Sequence, residues 1–325
     1  MITIYRKTGD TIAPEELKPG QPIPPDAIWI DIFTPTSEEE LDVEKQLSIQ
    51  IPSREEVWKN EALNRMYQDE EVSYMTASII TKGEISHPQT SAVTFILTPR
   101  YLLTMRYITP TSFHMFSQRI QRRARKFVTG PHVLEGLLEE IIVRVAHNSE
   151  VVVDGLDGLS HCIFGESIFE SKNANSSQTL QSVLKKLGQL ADLNSKINES
   201  LHSLSRLLIF FKQVNVDDPT TQKQVKILTS DVNSLMQQTA FLSDKVTFQL
   251  DATLGMINVE QNSIIKIFTV ASVFFLPPTL VSSVYGMNFK HMPELDWHMG
   301  YPMALGLIVL AALLPYAYFR RKGWL

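Results

Sequence analysis

The sequence predicts an α+β water-soluble domain, followed by a very long helix and two C-terminal transmembrane helices. Three observations predict it. Runs rich in Val, Ile, Thr and Tyr are confined to about the first 130 residues. From Pro219 onward an apolar rhythm of threes and fours runs without a break. Two apolar segments, about 264–285 and 301–319, are each about 20 residues long, enough to cross a hydrocarbon core of about 30 Å. The expected organisation is residues 1–130 as an α/β domain, 131–263 as a helical region with a long stalk, and 264–325 as a transmembrane domain whose external loop is 286–300.

Composition agrees with that division. A hydrophobic content of 44% and a formal net charge of -5 resemble a water-soluble protein, because the membrane segments are crowded into the last part of the chain. The acidic balance argues against a nucleic-acid partner and agrees with cationic ligands. The single Cys162 excludes an internal disulfide and a multi-cysteine zinc site. The start, Met1-Ile2-Thr3-Ile4-Tyr5-Arg6, lacks the uncharged apolar core of a signal peptide, so the large N-terminal part is expected in the cytoplasm. Arg320-Arg321-Lys322 directly follow the second span, whereas the loop carries Lys290 against Glu294 and Asp296. The positive-inside rule therefore puts both termini in the cytoplasm and the loop outside.

Taken in order, the strand candidates are Ile2–Arg6, Ala27–Ile32, Val72–Thr81, Ala92–Thr98 and Tyr101–Arg106, the last two joined as a hairpin around Pro99-Arg100. Ser37 followed by Glu40 predicts a capping box at the head of a helix over Ser37–Leu47. From about Pro131 to Phe211 the pattern is helical, divided by a polar connector at Glu170–Ser177. Asp217-Asp218-Pro219 starts the long helix, with proline in its first turn. Its seam is Val225, Leu228, Val232, Leu235, Thr239, Leu242, Val246, Gln249, Thr253 and Met256, the spacing of a packed helical face. Arg119 to Lys126 reads as a solvated basic face, and His161-Cys162, with no second ligand pair, as buried packing.

A second face of that helix carries the functional signal. Stepping back from Gly286 by threes and fours gives Ser283, Thr279, Leu276, Ser272, Thr269, Ile265, Asn262, Asn258, Gly255 and Asp251. The other faces of the span are Val, Phe, Leu and Ile. One reading is a small-residue packing face between helices. The other is the wall of a water-filled pore, because polar groups in a membrane face a cavity. The continuation into two asparagines and an aspartate favours the pore. One helix cannot enclose a pore, so that reading demands a ring of subunits.

The span ends at Tyr285-Gly286-Met287-Asn288-Phe289. Gly286 offers an unhindered carbonyl and Asn288 an amide oxygen, the groups that a hard cation or its water shell prefers. Met287 is read as packing, because thioethers are poor partners for hard cations. No Gly-rich phosphate loop is present and no nucleophile–base pair stands out, so an enzyme is not expected and no prosthetic group is called for.

The residues now carry a resemblance. The run Ile264–Tyr285, then Gly286-Met287-Asn288, the loop Met292-Pro293-Glu294-Leu295, and a second span ending in Arg320-Arg321-Lys322-Gly323-Trp324-Leu325 resemble the CorA family of divalent-cation channels. The likeness is dense over about the last 75 residues. It implies a funnel-shaped homopentamer in the bacterial inner membrane, with the very long helix lining the pore and the second span outside it. It implies uptake of Mg²⁺, with Co²⁺ and Ni²⁺ as alternative cargo, closed by cytoplasmic Mg²⁺. Gly286 and Asn288 would then form the ion-selective ring, with Thr279 and Asn262 as polar rings and Leu276, Phe268 and Ile265 as the hydrophobic gate. Asp251 matches an acidic ring that some members carry at the cytoplasmic exit. Two alternatives stay open: a zinc transporter of the related branch, which usually lacks the Met-Pro-Glu-Leu loop, and a two-span membrane receptor whose long helix carries a signal.

Overall fold

The computed structural model describes residues 1–18, 20–52, 66–82, 88–165, 176–214, 218–288, 292–293 and 297–322. They form two compact units, Met1–Leu250 and Asp251–Leu325. In chain order the elements are β1 (Ile2–Thr8), β2 (Thr11–Leu17), β3 (Ala27–Phe33), α1 (Ser37–Leu47), β4 (Met66–Asp69), β5 (Val72–Lys82), β6 (Gln89–Leu97) and β7 (Leu102–Arg106). Then come α2 (Thr111–Arg122), a 3₁₀ turn (Ala124–Lys126), α3 (Gly130–Phe164), α4 (Ser176–Val214), α5 (Pro219–Tyr285) and α6 (Gly300–Arg321).

The strands make one mixed sheet in the order β2-β1-β3-β7-β6-β5-β4, with β3 and β7 parallel and the other pairs antiparallel. The five expected strands are present, and the hairpin joins β6 to β7 through a bond from the Thr98 amide to the Tyr101 carbonyl. Two strands were not expected, and both lie at sheet edges. In β2, Pro14 cannot donate to a ladder, which an edge tolerates because one side needs no partner. β4 has only four residues, too few for periodicity to show.

Both faces of β3 are covered. Ile30 and Ile32 join Ile4, Ile96, Leu103 and Met105 in a cluster under Val43 of α1. On the other face Trp29 stacks on Tyr5 and meets Phe116 of α2 with ring centres 5.2 Å apart. Asp31 of that face is buried and grips Arg106 of β7, its Oδ2 2.8 Å from Nη2. Thr104 donates to Asp31 Oδ1 at 2.8 Å and accepts from the Trp29 indole at 3.0 Å, so the buried charge is paired and hydrogen-bonded as burial requires.

The capping box of α1 sits one residue earlier than the sequence reading placed it. Thr36, not Ser37, is the N-cap, exchanging bonds with Glu39: its amide donates to Oε2 at 2.9 Å and its Oγ1 accepts from the Glu39 amide at 3.3 Å. The run Thr36-Ser37-Glu38-Glu39-Glu40 contains both registers of the motif. The extended backbone at Thr36, φ -83° and ψ 158°, selects one of them.

α3 lies on β3, β6 and β7, and α4 on β5. Glycine is required at the head of α3, where a Cβ on Gly130 would fall 2.5 Å from the Tyr101 carbonyl oxygen. The seam of α5 is covered as expected, with Val225, Leu228, Val232 and Leu242 buried. Its polar members act as ties between helices. Gln249 Nε2 donates to the Leu156 carbonyl and to Ser160 Oγ of α3, both at 2.9 Å. Asn194 Nδ2 of α4 donates to the Thr239 carbonyl at 2.9 Å.

Arg122, Arg123, Arg125 and Lys126 are exposed, in keeping with a solvated basic face, and Arg119, Arg125 and Lys126 are ion-paired there, with Glu139 and Glu140, with Asp10, and with Glu135 respectively. One reading is corrected. His161 and Cys162 are exposed on α3, because the helix turns its next residue, Ile163, inward instead. Asp217, most of the connector 170–177, and the terminal Gly323-Trp324-Leu325 lie outside the described residues.

Candidate functional site

α5 continues as one helix through its apolar segment and ends at Tyr285, and α6 is a separate apolar helix. Both are long and apolar enough to cross a membrane, and neither apolar segment is buried within the chain. Their half-buried residues recur at helical spacing: Val270, Val273, Pro277 and Val281 on α5, and Ala304, Ile308, Ala311, Pro315 and Phe319 on α6. These faces are largely shielded by the protein itself.

The candidate stripe occupies another side of α5. Asp251, Gly255, Asn258, Asn262, Ile265, Thr269, Ser272, Leu276, Thr279 and Ser283 are all exposed. Three of the hydroxyls share one arrangement. Thr269 Oγ1 donates to the Ile265 carbonyl at 2.8 Å, Ser272 Oγ to Phe268 at 2.8 Å, and Thr279 Oγ1 to Phe275 at 2.7 Å. A hydroxyl has one proton and two acceptor lone pairs. With the proton committed to the residue four before it, what each group offers outward is an acceptor oxygen. A row of outward acceptors suits cations and the protons of their hydration water, and does not suit anions.

Large apolar side chains interrupt that row. Ile265, Phe268 and Leu276 are 60%, 69% and 65% exposed, far from the buried state such side chains prefer. Phe268 lies on the flank of the stripe, one residue before Thr269. Pro277 and Pro278 sit inside the helix and supply no amide to the Val273 and Phe274 carbonyls, which removes two helix bonds at that level.

At the top, the Gly286 amide closes the last turn on the Ser282 carbonyl at 2.9 Å, and the Met287 amide reaches Val284 at 3.3 Å. Gly286 does not adopt a left-handed backbone. Its glycine character matters instead for close approach, since a Cβ would stand 3.2 Å from the Ser282 oxygen. Gly286, Met287 and Asn288 are all exposed. Met292 is half-buried and Pro293 exposed, whereas Phe289, Lys290, Glu294, Leu295 and Asp296 lie outside the described residues. Among the described residues no three His, Cys, Asp or Glu side chains gather as a metal site. Among the described residues the candidate ligands are spread along one helix face and just beyond its end, and do not converge within one chain.

One residue that the sequence reading passes over is Lys266, the only charged side chain in the apolar part of α5. Its signal is that isolation: a lone charge in the first turn of a span.

Known proteins place the chain. The family model described as "CorA-like Mg2+ transporter protein" matches residues 25–321. The chain is 32% identical over 327 residues, all of both sequences, to the magnesium transport protein CorA of Escherichia coli (strain K12). It is 34% identical over 300 residues, 92% of each sequence, to the CorA of Salmonella typhimurium (strain LT2). Its fold matches the complete structure of the CorA magnesium transporter from Methanocaldococcus jannaschii with a TM-score of 0.75, at 20% identity, over 100% of this chain and 99% of that one. With its α/β unit, very long helix and second apolar helix, this chain belongs to the family of CorA-like Mg²⁺ transporter proteins.

Proposed function

We propose that the chain forms a divalent-cation channel that takes up Mg²⁺, with Co²⁺ and Ni²⁺ as alternative cargo. The observation that carries the reading is the stripe from Asp251 to Ser283 on one side of α5, continued by Gly286 and Asn288 just beyond it: all exposed, with three of its hydroxyls turned acceptor-outward. The named relatives, magnesium transport proteins matched over 100% and 92% of their length, support Mg²⁺ as the cargo.

Mg²⁺ gives up its first-shell waters reluctantly. In a homopentamer, five Gly286 carbonyls and five Asn288 amides form a neutral ring that grips the hydrated ion without that loss. Neutrality matters, because a ring of carboxylates would hold a divalent ion too tightly to release it. Thr279 and Asn262 form polar rings below, and Ser283, Ser272, Thr269 and Asn258 wet the wall between them. Leu276, Phe268 and Ile265 form an apolar constriction that closes by dewetting. Asp251 provides an acidic exit. The membrane potential supplies the drive, about 4.6 kcal/mol per 100 mV for a doubly charged ion. Residues 1–130 and 131–263 form the cytoplasmic body that closes the pore when internal Mg²⁺ is high, and 264–325 the membrane part, with both termini inside and the loop 286–300 outside.

The test is influx into dye-loaded liposomes holding the purified chain, wild type against Asn288→Ala. Mg²⁺ influx that disappears in the variant supports channel and filter together. Flux of Zn²⁺ without Mg²⁺ assigns the chain to the zinc branch. No divalent flux from a folded, oligomeric protein overturns transport and leaves the two-span receptor.

A further inference from the structure

The groove between α5 and α6 has a chemistry that the transport reading does not use. It encloses about 510 Å³, within the range of about 300–1,000 Å³ typical of small-ligand sites. Its apolar end is walled by Val270, Ala271 and Phe274 from α5 and by Pro315 from α6. Its polar end carries Lys266, with Tyr316 and Phe319 opposite. Arg320 and Arg321 directly follow Phe319. We infer that this groove binds one anionic phospholipid of the leaflet at the basic end of α6, its phosphate on Lys266 and an acyl chain between Phe274 and Pro315.

The order of residues along the groove matches the order of groups along a lipid. Lys266 and Phe319 line the same end, and a phospholipid likewise puts its phosphate at the edge of the apolar layer and its tails inside. An ammonium at the edge of a hydrocarbon layer is costly unless it reaches water or a counter-ion, and a lipid phosphate is a counter-ion at that depth. Basic pockets between spans have the chemistry that holds anionic headgroups. Tyr316, with an apolar ring and a polar tip, suits the interface.

Charge also separates a lipid from a second copy of the chain. From residue 261 to the last residue the only side-chain carboxylates are Glu294 and Asp296, in the connection at the other end of both helices. A neighbouring helix pair packed into the groove would bring no side-chain carboxylate from its apolar segments to Lys266, Glu260 lying about 9 Å further along the axis, and would add its own Arg320 and Arg321. Like charges would meet where the lipid supplies the opposite one. The positive-inside rule makes this the cytoplasmic leaflet, which is the anionic one. The inference requires that the two helices span a membrane, and does not require that the chain conducts Mg²⁺.

The experiment is native mass spectrometry of the full chain in detergent, titrated with phosphatidylglycerol or with phosphatidylcholine. The expected result is preferential retention of phosphatidylglycerol, falling about fivefold in Lys266→Gln, the effect of one basic residue at an anionic surface, and kept in Lys266→Arg. Ala271→Trp, which fills the apolar end, loses the lipid with Lys266 intact. Equal retention of the two lipids, or an undiminished preference in Lys266→Gln, overturns the inference. A photoreactive residue at position 271, with Lys266 unchanged, guards against a variant that fails to fold. Crosslinks to phospholipid support the site, and crosslinks to a second copy give the groove to the subunit interface and overturn it. Liposome flux is read separately, so loss of the lipid preference and loss of transport cannot be confused.

Discussion

The hydroxyl of Thr279 donates to the carbonyl of Phe275 at 2.7 Å, so its proton points back along the helix while its oxygen faces outward. The contact separates two properties that a threonine usually combines. The proton serves the helix, and the acceptor is left for whatever passes. Thr279→Val keeps the shape and removes the acceptor, whereas Thr279→Ser keeps the acceptor. Liposome influx of Mg²⁺ is expected to fall about fivefold in the valine variant, the worth of about 1 kcal/mol of hydrogen bonding, and to stay near wild type in the serine variant.

Asp31 and Arg106 are buried together, with side chains 6% and 13% exposed. Removing one partner strands the other charge, and such losses cost about 3–5 kcal/mol. Asp31→Asn and Arg106→Met are each expected to lower the thermal midpoint followed by tryptophan fluorescence. The double variant is expected to lose less than the two singles added, because it strands nothing.

Gly130 and Gly158 are both helical glycines in α3 with opposite surroundings. A Cβ at 130 meets the Tyr101 carbonyl oxygen at 2.5 Å and the Thr98 carbonyl oxygen at 2.6 Å, whereas one at 158 meets nothing within 4 Å. Gly130→Ala is expected to destabilise by about 1–3 kcal/mol, as overpacking does. Gly158→Ala is expected to stabilise by about 0.5–1 kcal/mol through helix propensity. Thermal unfolding of the two variants side by side checks the contrast.

Burial raises the pKa of Glu135 above its ordinary 4.5, more than Lys126 and His132 lower it. A carboxyl with a raised folded pKa holds its proton longer in the native state than in the unfolded one. Stability is therefore lost as pH rises from about 4.5 toward the folded value. Glu135→Gln cannot titrate, so its stability relative to wild type should improve over that interval and level off above it. Unfolding midpoints of both proteins measured across the acid range would show this; a constant difference would contradict it.

Much of the fold was legible in the residues alone, because it rests on local regularities. β-branched runs marked five strands. The unbroken rhythm from Val225 to Met256 marked a helix with one covered face, and two apolar segments marked the membrane part. The stripe from Asp251 to Gly286 came from the same periodicity, whereas Gly286-Met287-Asn288 was read from its oxygen groups and from a family resemblance. What the sequence determined was therefore what repeats along the chain at 2.0 or 3.6 residues.

The tertiary structure decided what depends on residues far apart. Pro14 sits in a strand because Tyr5 offers an edge to pair with. Thr36 caps α1 in preference to Ser37 because the backbone at Thr36 is extended. Gln249 and Thr239 belong to an apolar seam because Leu156 and Asn194 bond to them across the bundle. Lys266 acquires a meaning only beside Tyr316 and Phe319, some 50 residues away in the chain. Local periodicity reports which face of an element is covered, but the partner that covers it is set by contacts distant in sequence, which no local pattern encodes.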